Sequence, residues 1–507
     1  MKNEHHTLTS LWQKHLEMPT YETLQADIHV DVAIIGGGIT GVTTAFLLTK
    51  ARKKVALLDA GRIGGGTTGH TTAKITTQHG LIYDELLANL GQKEAKQYYQ
   101  AQDEALTYMR QLIEKESISC DFTNEDAYLY ATTHHGEHRL RREWEAYQTL
   151  ELPGEWVTDT PVALGARAAI KVANQAQFHP IHYIAHLCQY MTEQGAQIFE
   201  QTACEKVEKD KGADTTAILT KSGARIHAQT IVCATHFPFI DGGGFYMSRL
   251  KAERAYVVAA KTSLAWPGGM YMNVEQPTRS LRQVTINNID HVLVSGETHK
   301  AGQGGDARHH YDALNTFAKE TFPGADVVCE WSAQDLSTLD HVPYVGPLSP
   351  LQPHVLVATG YKKWGMTGGT AAARVLSDLI LEGNSLYREL FDPMRFHADP
   401  SIRVFLKEGF DIAKHWLSGK LRGPVEDLKE LDRGQGAVVK YKGKKAGAFR
   451  DENDEIHLVD TTCTHLGCEC NWNHADLTWD CPCHGSRYTY RGEVIEGPAK
   501  EPLQKLD

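Results

Sequence analysis

The sequence has no apolar run long enough to cross a bilayer, no surplus of positive charge, and few cysteines outside one short stretch. Its longest apolar stretches, such as Val32–Ile35, are strand-length, whereas a membrane span needs roughly 20 residues. Lys+Arg number 52 against Asp+Glu 63, a net charge of -11, which argues against an extended polyphosphate partner. Nucleic-acid binding is not expected. Met1 to Asp31 carry charges throughout and no apolar core, so they do not read as a secretion signal. Internal repeats and low-complexity segments are also lacking. These absences predict a soluble, cytoplasmic protein. What is there is an ordinary globular balance over 507 residues, hydrophobic 41% and charged 23%, enough for roughly three folding units with cores that need no metal or disulfide merely to fold.

The cysteines are unevenly placed. Cys120, Cys188, Cys204, Cys233 and Cys329 are scattered and read as structural. Cys463, Cys468, Cys470, Cys481 and Cys483 fall within 21 residues, a clustering that asks for a chemical reason.

Val30–Ile35 is a β-branched run ending in Gly36-Gly37-Gly38-Ile39-Thr40-Gly41. A helical segment, Val42 to Ala51, and a second strand, Val55–Leu58, ending at Asp59, complete one βαβ unit. Leu81 to Arg142 reads as mostly helical, and Pro180–Gly195 as another helix. Tyr256–Ala260, Arg279–Thr285 and Val292–Ser295 read as strands of an antiparallel sheet. Val355–Thr359 is a buried strand leading through Gly360 and Gly365 into a helix from about Thr370 to Leu381, closed by Gly383. Ser401–Leu421 is amphipathic and reads as a linker helix. Beyond Gly423 the chain has short strands, many turns and the cysteine cluster.

Gly36, Gly38 and Gly41 fit the G-x-G-x-x-G fingerprint in its strand–helix setting: a tight turn, close backbone approach to a pyrophosphate, and close helix–strand packing. The helix N-terminus supplies free N–H groups for that pyrophosphate. Asp59, at the end of the second strand, can accept from ribose hydroxyls. The fingerprint alone does not choose between NAD and FAD.

Three further segments bear on that choice: the loop Gly64-Gly65-Gly66-Thr67-Thr68-Gly69-His70, the turn Ala358-Thr359-Gly360 before a second helix N-terminus at Met366–Thr370, and Asp340-His341-Val342-Pro343-Tyr344-Val345-Gly346. Together with the fingerprint they resemble the D-amino-acid oxidase and glycine oxidase group of flavoproteins over roughly Val30 to Arg395. The resemblance implies FAD, held by Gly36, Gly38, Ile39, Thr40, Gly41, Asp59, Ala60, Thr67, Thr68, Ala234, Thr235 and Gly360. It places Gly365, Met366 and Thr367 against the flavin pyrimidine edge and Val207 on the adenine side. Some amine-oxidising relatives link flavin to a histidine after a Ser/Thr-rich loop; His70 reads either as such a link or as an uncoupled polar loop residue. Where the family holds a substrate carboxylate with arginine, this chain aligns Asp335. That tilts the expected substrate toward an amine, with Asp335 and Lys362 as candidate catalytic groups. Arg279, Arg282 and Lys363 are further candidate cations.

Cys463-Thr464-His465 and Cys481-Pro482-Cys483-His484 have a two-sulfur, two-nitrogen spacing that also suits a structural zinc. Their full wording, Cys463-Thr464-His465-Leu466-Gly467-Cys468 and Cys481-Pro482-Cys483-His484-Gly485-Ser486, resembles the Rieske [2Fe–2S] domain. The resemblance implies Cys463 and Cys481 on one iron and His465 and His484 on the other. It also implies a Cys468–Cys483 disulfide between the two loops, of the cytochrome bc type, worth roughly 3 kcal/mol in the chain-entropy picture. Ser486 and Tyr488 match hydroxyl donors to cluster sulfur, which predicts a potential in the upper part of a range of about −150 to +300 mV. Gly497-Pro498 resembles the family's cluster-covering loop. Cys470 has no assigned role and reads as a spectator.

The expected fold is an α/β FAD-binding Rossmann-type domain with an antiparallel-sheet substrate domain, plus a small all-β Rieske domain. Residues 1–400 form the oxidoreductase, with FAD-binding parts at about 28–80, 165–248 and 335–395 and substrate-binding parts at about 81–164 and 249–334. A linker helix, 401–425, leads to the Rieske domain, 426–507. The expected activity is hydride removal from the C–N bond of an amine or amino acid, with single electrons leaving through the Rieske cluster to an external acceptor, a quinone or redox protein. A redox sensor or electron carrier without a small substrate is the alternative. A Rieske monooxygenase is a third reading, and no local motif for its additional mononuclear iron is evident.

Overall fold

The computed structural model describes residues 9–14, 18–210, 215–395, 409, 411–412, 414–416 and 428–506. Most of the expected linker helix lies outside the described residues.

Ile28–Ile35, Val55–Leu58, Gln197–Phe199, Arg225–Cys233 and Val355–Thr359 are parallel neighbours in one sheet, with Tyr344–Pro347 antiparallel at its edge; Val55–Leu58 and Val355–Thr359 are buried throughout, as strands covered on both faces are. Helices Ile39–Lys50 and Gly365–Glu382 pack on each other against this sheet. The second helix begins five residues before the expected Thr370 and ends at Gly383, whose φ of 76° gives the left-handed C-terminal turn that glycine favours.

A nine-stranded sheet runs, in order, Asp326–Thr338, Leu250–Lys261, Ile289–Lys300, Arg279–Ile286, Met270–Asn273, Thr123–Ala131, Ala168–Gln177 and Lys74–Ile75, with Glu155–Val157 beside Ala168–Gln177. Its pairings are antiparallel except between Met270–Asn273 and Thr123–Ala131. Two features differ from the sequence reading. The stretch 81–142 is not uniformly helical, because Thr123–Ala131 is a strand; its polar first half hides the buried run Ala127–Ala131. Ala168–Gln177 belongs to this sheet and not with the dinucleotide-binding part that was expected to start at 165.

The last part of the chain is a three-stranded sheet, Gly436–Tyr441, Lys444–Arg450 and Ile456–Val459, and a four-stranded one, Asn471–Asn473, Thr478–Asp480, Arg487–Thr489 and Val494–Glu496. The architecture is thus a mixed-sheet dinucleotide-binding fold followed by a small all-β domain. No helix among the described residues is long and apolar enough to cross a membrane.

The Asp340–Gly346 segment is anchored by one buried ion pair. Arg395 donates from Nη2 to Asp340 Oδ1 and from Nε to Asp340 Oδ2, each at 2.8 Å, and also to the Pro343 carbonyl. Burial works against the Asp340 carboxylate, but Arg395 and the Val342 N–H outweigh it and hold its pKa below the ordinary value. Removing one partner of such a pair leaves a buried charge, so Asp340→Asn is expected to cost about 3 kcal/mol in urea unfolding. The contribution is present above the unfolded carboxylate's pKa and lost as pH falls through the lowered folded value, so the difference between wild type and variant should shrink in acid.

Candidate functional site

The dinucleotide turn is built where side chains cannot fit. Gly36 has φ +110°, and a Cβ there would lie 2.3 Å from the Ala234 carbonyl oxygen; at Gly41 a Cβ would lie 1.9 Å from the Gly36 carbonyl oxygen. The Ala234 N–H donates to Ile35 O at 2.7 Å and brings the Ala234–Thr235 backbone beside the turn. Asp59 accepts from the Gly37 and Gly61 N–H groups, both at 2.7 Å, and burial raises its pKa. Ala60 follows it in the same turn. Thr68 Oγ accepts from Ile39 N–H at 3.0 Å at the start of the first helix.

The start of the second helix meets the first. Gly369 is so close that a Cβ would lie 2.7 Å from Thr40 Oγ1, and Thr40 Oγ1 bonds the Tyr361 hydroxyl at 3.0 Å. Gly365, Met366 and Thr367 form the first turn of that second helix, where backbone N–H groups have no partner one turn back. Gly360, φ 84°, leads into it, and Thr367 Oγ1 bonds His79 Nε2 at 3.1 Å. Two helix N-termini beside an acidic strand end and a glycine-lined turn fit a dinucleotide such as FAD. His70 turns its Nδ1 to the Gly66 carbonyl at 2.8 Å. Val207 stands on an outlying antiparallel ribbon, paired in register with Ile218.

Sequence reasoning missed the supports of this cradle. Trp12, fully buried, donates from Nε1 to Thr71 O at 2.7 Å, and Ser10 bonds the Gly69 carbonyl, so the first described residues brace the Thr-rich loop. Glu200 accepts from Ile63 N–H at 2.8 Å and pairs with Arg62 at 2.9 Å.

Beside the cradle lies a cavity of about 70 Å³, lined by Thr71, Lys74, Met272, Ser280, Lys363 and Trp364 among others. Lys74 donates from Nζ to Tyr271 O at 2.9 Å and to Ser280 Oγ at 2.6 Å. Burial and neighbouring Arg282 push its pKa down to about 7. Arg282 is itself buried, with one bond to Ala73 O at 2.9 Å and an unpartnered Nε. Neither cation makes an ion pair among the described residues. Lys363, by contrast, pairs with Asp335 at 3.4 Å. Asp335 is therefore spoken for, and Lys363, not Lys362, faces the cavity; Lys362 has φ 57° and lies near Glu85 and Glu253.

The cysteine-rich loops share one design. Gly467 N–H donates to Cys463 O at 2.9 Å, and Gly485 N–H to Cys481 O at 3.1 Å; both glycines have positive φ, 73° and 81°. Each loop thus curls back on its first cysteine. Cys468 and Cys483 are joined by a disulfide with S–S 2.01 Å. The Sγ atoms of Cys463 and Cys481 are buried and within 4.8 Å of each other. The His465 and His484 rings stand 5.0 Å apart, and the Nδ1 atoms of both are buried without a partner. Burial lowers both imidazole pKa values, that of His484 to about 4, which keeps the Nδ1 lone pairs free. Two adjacent thiols and two orphaned neutral nitrogens fit a [2Fe–2S] centre of the Rieske type. Tyr488 OH lies 3.1 Å from Cys463 Sγ; Ser486 Oγ is fully buried and accepts from Ala499 N–H at 3.0 Å.

The small domain sits with these loops against the nine-stranded sheet. Arg254 reaches Glu496 at 2.7 Å, Ser332 Oγ donates to Asp476 at 2.9 Å, and Tyr311 OH donates to Asp476 at 2.9 Å. Arg487, buried, bonds both Asp476 and Asp480. A Cβ at Gly485 would lie 2.7 Å from Ala252 Cβ and 3.0 Å from Gln334 Oε1. On the same strand, Gln334 O accepts from Thr67 Oγ1 of the dinucleotide loop at 3.2 Å. His465 Nε2 abuts Met247 Sδ.

Residues 31–379 match the family model described as FAD dependent oxidoreductase, and residues 422–507 match that of the Rieske [2Fe-2S] domain. A Bacillus subtilis protein described as the Rieske 2Fe-2S iron-sulfur protein YhfW is 42% identical over 98% of this chain and 97% of its own length. The cytochrome b6-f complex iron-sulfur subunit 3 of Nostoc is 57% identical over 51 residues, 10% of this chain and 28% of that protein. The crystal structure of glycine oxidase from Geobacillus kaustophilus superposes with a TM-score of 0.61 at 18% identity, covering 73% of this chain and 99% of that one, a likeness of fold.

Proposed function

The chain belongs to the FAD dependent oxidoreductase family and carries a Rieske [2Fe-2S] domain, and on that premise we propose that it oxidises the C–N bond of a small amino-acid-like substrate and delivers the electrons singly to an external acceptor. One observation carries the reading: a single strand, Asp326–Thr338, separates the two sites, with Gln334 touching Thr67 through its carbonyl and the Gly485 position through its amide. FAD bound in the cradle would supply two-electron hydride acceptance, and the iron–sulfur centre one-electron transfer.

The chain's own share is orientation and charge. Gln334, the Arg254–Glu496 pair and the Asp476 carboxylate, which accepts from Ser332 and Tyr311, hold the cluster loops in register with the dinucleotide loop, so no large domain movement is needed to bring them together. In the cavity, Lys363 is balanced by Asp335, whereas Lys74 is balanced by neutral acceptors only. An ammonium has three donors and Lys74 spends two, which leaves one for an anionic group on the substrate. A carboxylate suits this cavity better than a plain amine, the reverse of what Asp335 suggested in the sequence. The structural neighbour named as a glycine oxidase supports the same class.

Anaerobic mixing with α-amino acids and with their decarboxylated amines tests the proposal through flavin absorbance. Bleaching by amino acids is expected. Bleaching by amines alone contradicts the role of Lys74, and bleaching by no member of either set leaves an electron carrier without a small substrate. Lys74→Met is expected to weaken binding of a simple carboxylate such as propionate by about 1.5–3 kcal/mol, the range for a hydrogen bond to a charged group. The amine binds only while protonated, so affinity for propionate should fall as pH rises through about 7, the lowered Lys74 value, and Lys74→Met should flatten that profile.

A further inference from the structure

Cys470 lies outside the four-residue ligand set, yet it is not packed apart from it. The Sγ atoms of Cys463, Cys470 and Cys481 all fall within 4.8 Å of one another, and all three residues are buried. The local backbone explains how it gets there. Thr462 and Glu469 form an antiparallel bridge, and Cys470 N–H donates to Thr461 O at 2.8 Å, closing the first ligand loop into a short ribbon. Side chains alternate along such a ribbon. Glu469 points away and accepts from Thr461 Oγ1 at 2.8 Å, while Cys468 and Cys470 point inward, the one into the disulfide and the other toward the ligand thiols.

An aliphatic side chain would fill this space with no polar consequence. A thiol in apolar surroundings is a weak S–H donor, and the sulfurs within its reach here are those of the two ligand cysteines. The Tyr488 hydroxyl already approaches Cys463 Sγ at 3.1 Å, whereas no comparable hydroxyl reaches Cys481 Sγ among the described residues. Hydrogen bonds to the sulfurs are among the factors that set the potential of such a centre, because they withdraw charge from the ligands and favour the reduced form.

We propose that Cys470 is a tuning residue whose thiol donates a hydrogen bond to the Cys463/Cys481 ligand sulfurs and raises the reduction potential of the Rieske centre. The proposal rests on the ligand pair and holds whatever the substrate is.

The test is an anaerobic redox titration of the full-length holoprotein, with the reduced centre followed by electron paramagnetic resonance and iron counted in parallel. Cys470→Ala is expected to keep two irons per chain, shift the g values, and move the reduction equilibrium against the reduced form by up to about tenfold, which is 59 mV for one electron. Cys470→Ser, which keeps a donor, should hold the potential near the wild-type value. An unchanged potential in Cys470→Ala overturns the proposal, and so does an equal fall in the alanine and serine variants, which would make the effect one of packing. Should Cys470→Ala lose the cluster, Cys470→Val takes its place because it fills the thiol's volume. A full cluster at lowered potential in the valine variant supports the proposal. A full cluster at unchanged potential overturns it, as does cluster loss in both variants, which would make Cys470 a structural or ligating group.

Discussion

Cys481→Ser is expected to remove the Rieske spectrum and the transfer of electrons to a one-electron acceptor, while substrate still bleaches the flavin. The separation follows from where the residue sits. Cys481 is buried on the cluster side of the interface and is not among the residues that line the proposed substrate cavity. Its loop is held independently by the Cys468–Cys483 disulfide, by Gly485 N–H on Cys481 O, and by the packing of Cys481 and Pro482 on Gly302. A hydroxyl is a poor ligand for an iron that is otherwise bound by soft sulfur. Near-ultraviolet circular dichroism checks that the domain remains folded. Loss of flavin bleaching in the same variant would mean that the two halves are not separate catalytic and relay units.

The second large effect is expected at the other end of the chain. Gly36→Val should purify without FAD. Valine at φ +110° is strained, and its Cβ would collide with the Ala234 carbonyl oxygen at 2.3 Å, a backbone atom, where no flexible side chain can give way. Positive-φ strain and overpacking together amount to about 2–6 kcal/mol at this one turn. The measurable outcome is flavin content after denaturation, near zero in the variant, with the iron content unchanged because the Rieske loops lie beyond the nine-stranded sheet. Normal flavin content in Gly36→Val would contradict the assignment of this turn as the cradle.

These two sites were the most legible parts of the sequence, for a physical reason. The residues that make each of them lie close together along the chain: Gly36 to Asp59 in one βαβ unit, Cys463 to Ser486 in two loops of identical curl. Local spacing therefore points to each site, and the resemblance to flavoproteins and to the Rieske domain, carried by the full wording of the same segments, decides FAD over NAD and iron–sulfur over zinc. The proposed substrate cavity is different. Lys74 sits in a run of threonines and isoleucine with nothing to mark it, and its burial is decided by Tyr271 and Ser280, about two hundred residues away. The charge of Asp335 was visible in the sequence, whereas its partner Lys363 was not. The strand Thr123–Ala131 was hidden between two helices by its polar start, and the nearness of Cys470 to the ligand thiols was hidden because it depends on the inward alternation of a short ribbon. The docking of the small domain could not be read at all: Arg254 and Ser332 acquire Glu496 and Asp476 as partners only when the two halves meet.

That meeting is the central claim, and one experiment addresses it directly. Holoprotein mixed anaerobically with a substrate that bleaches the flavin should show the signal of a reduced Rieske centre growing after the bleaching, at a rate that does not change when the protein is diluted tenfold. A rate that falls in proportion to protein concentration, or a centre that stays oxidised beside a fully bleached flavin, would contradict transfer across the Asp326–Thr338 strand within one chain.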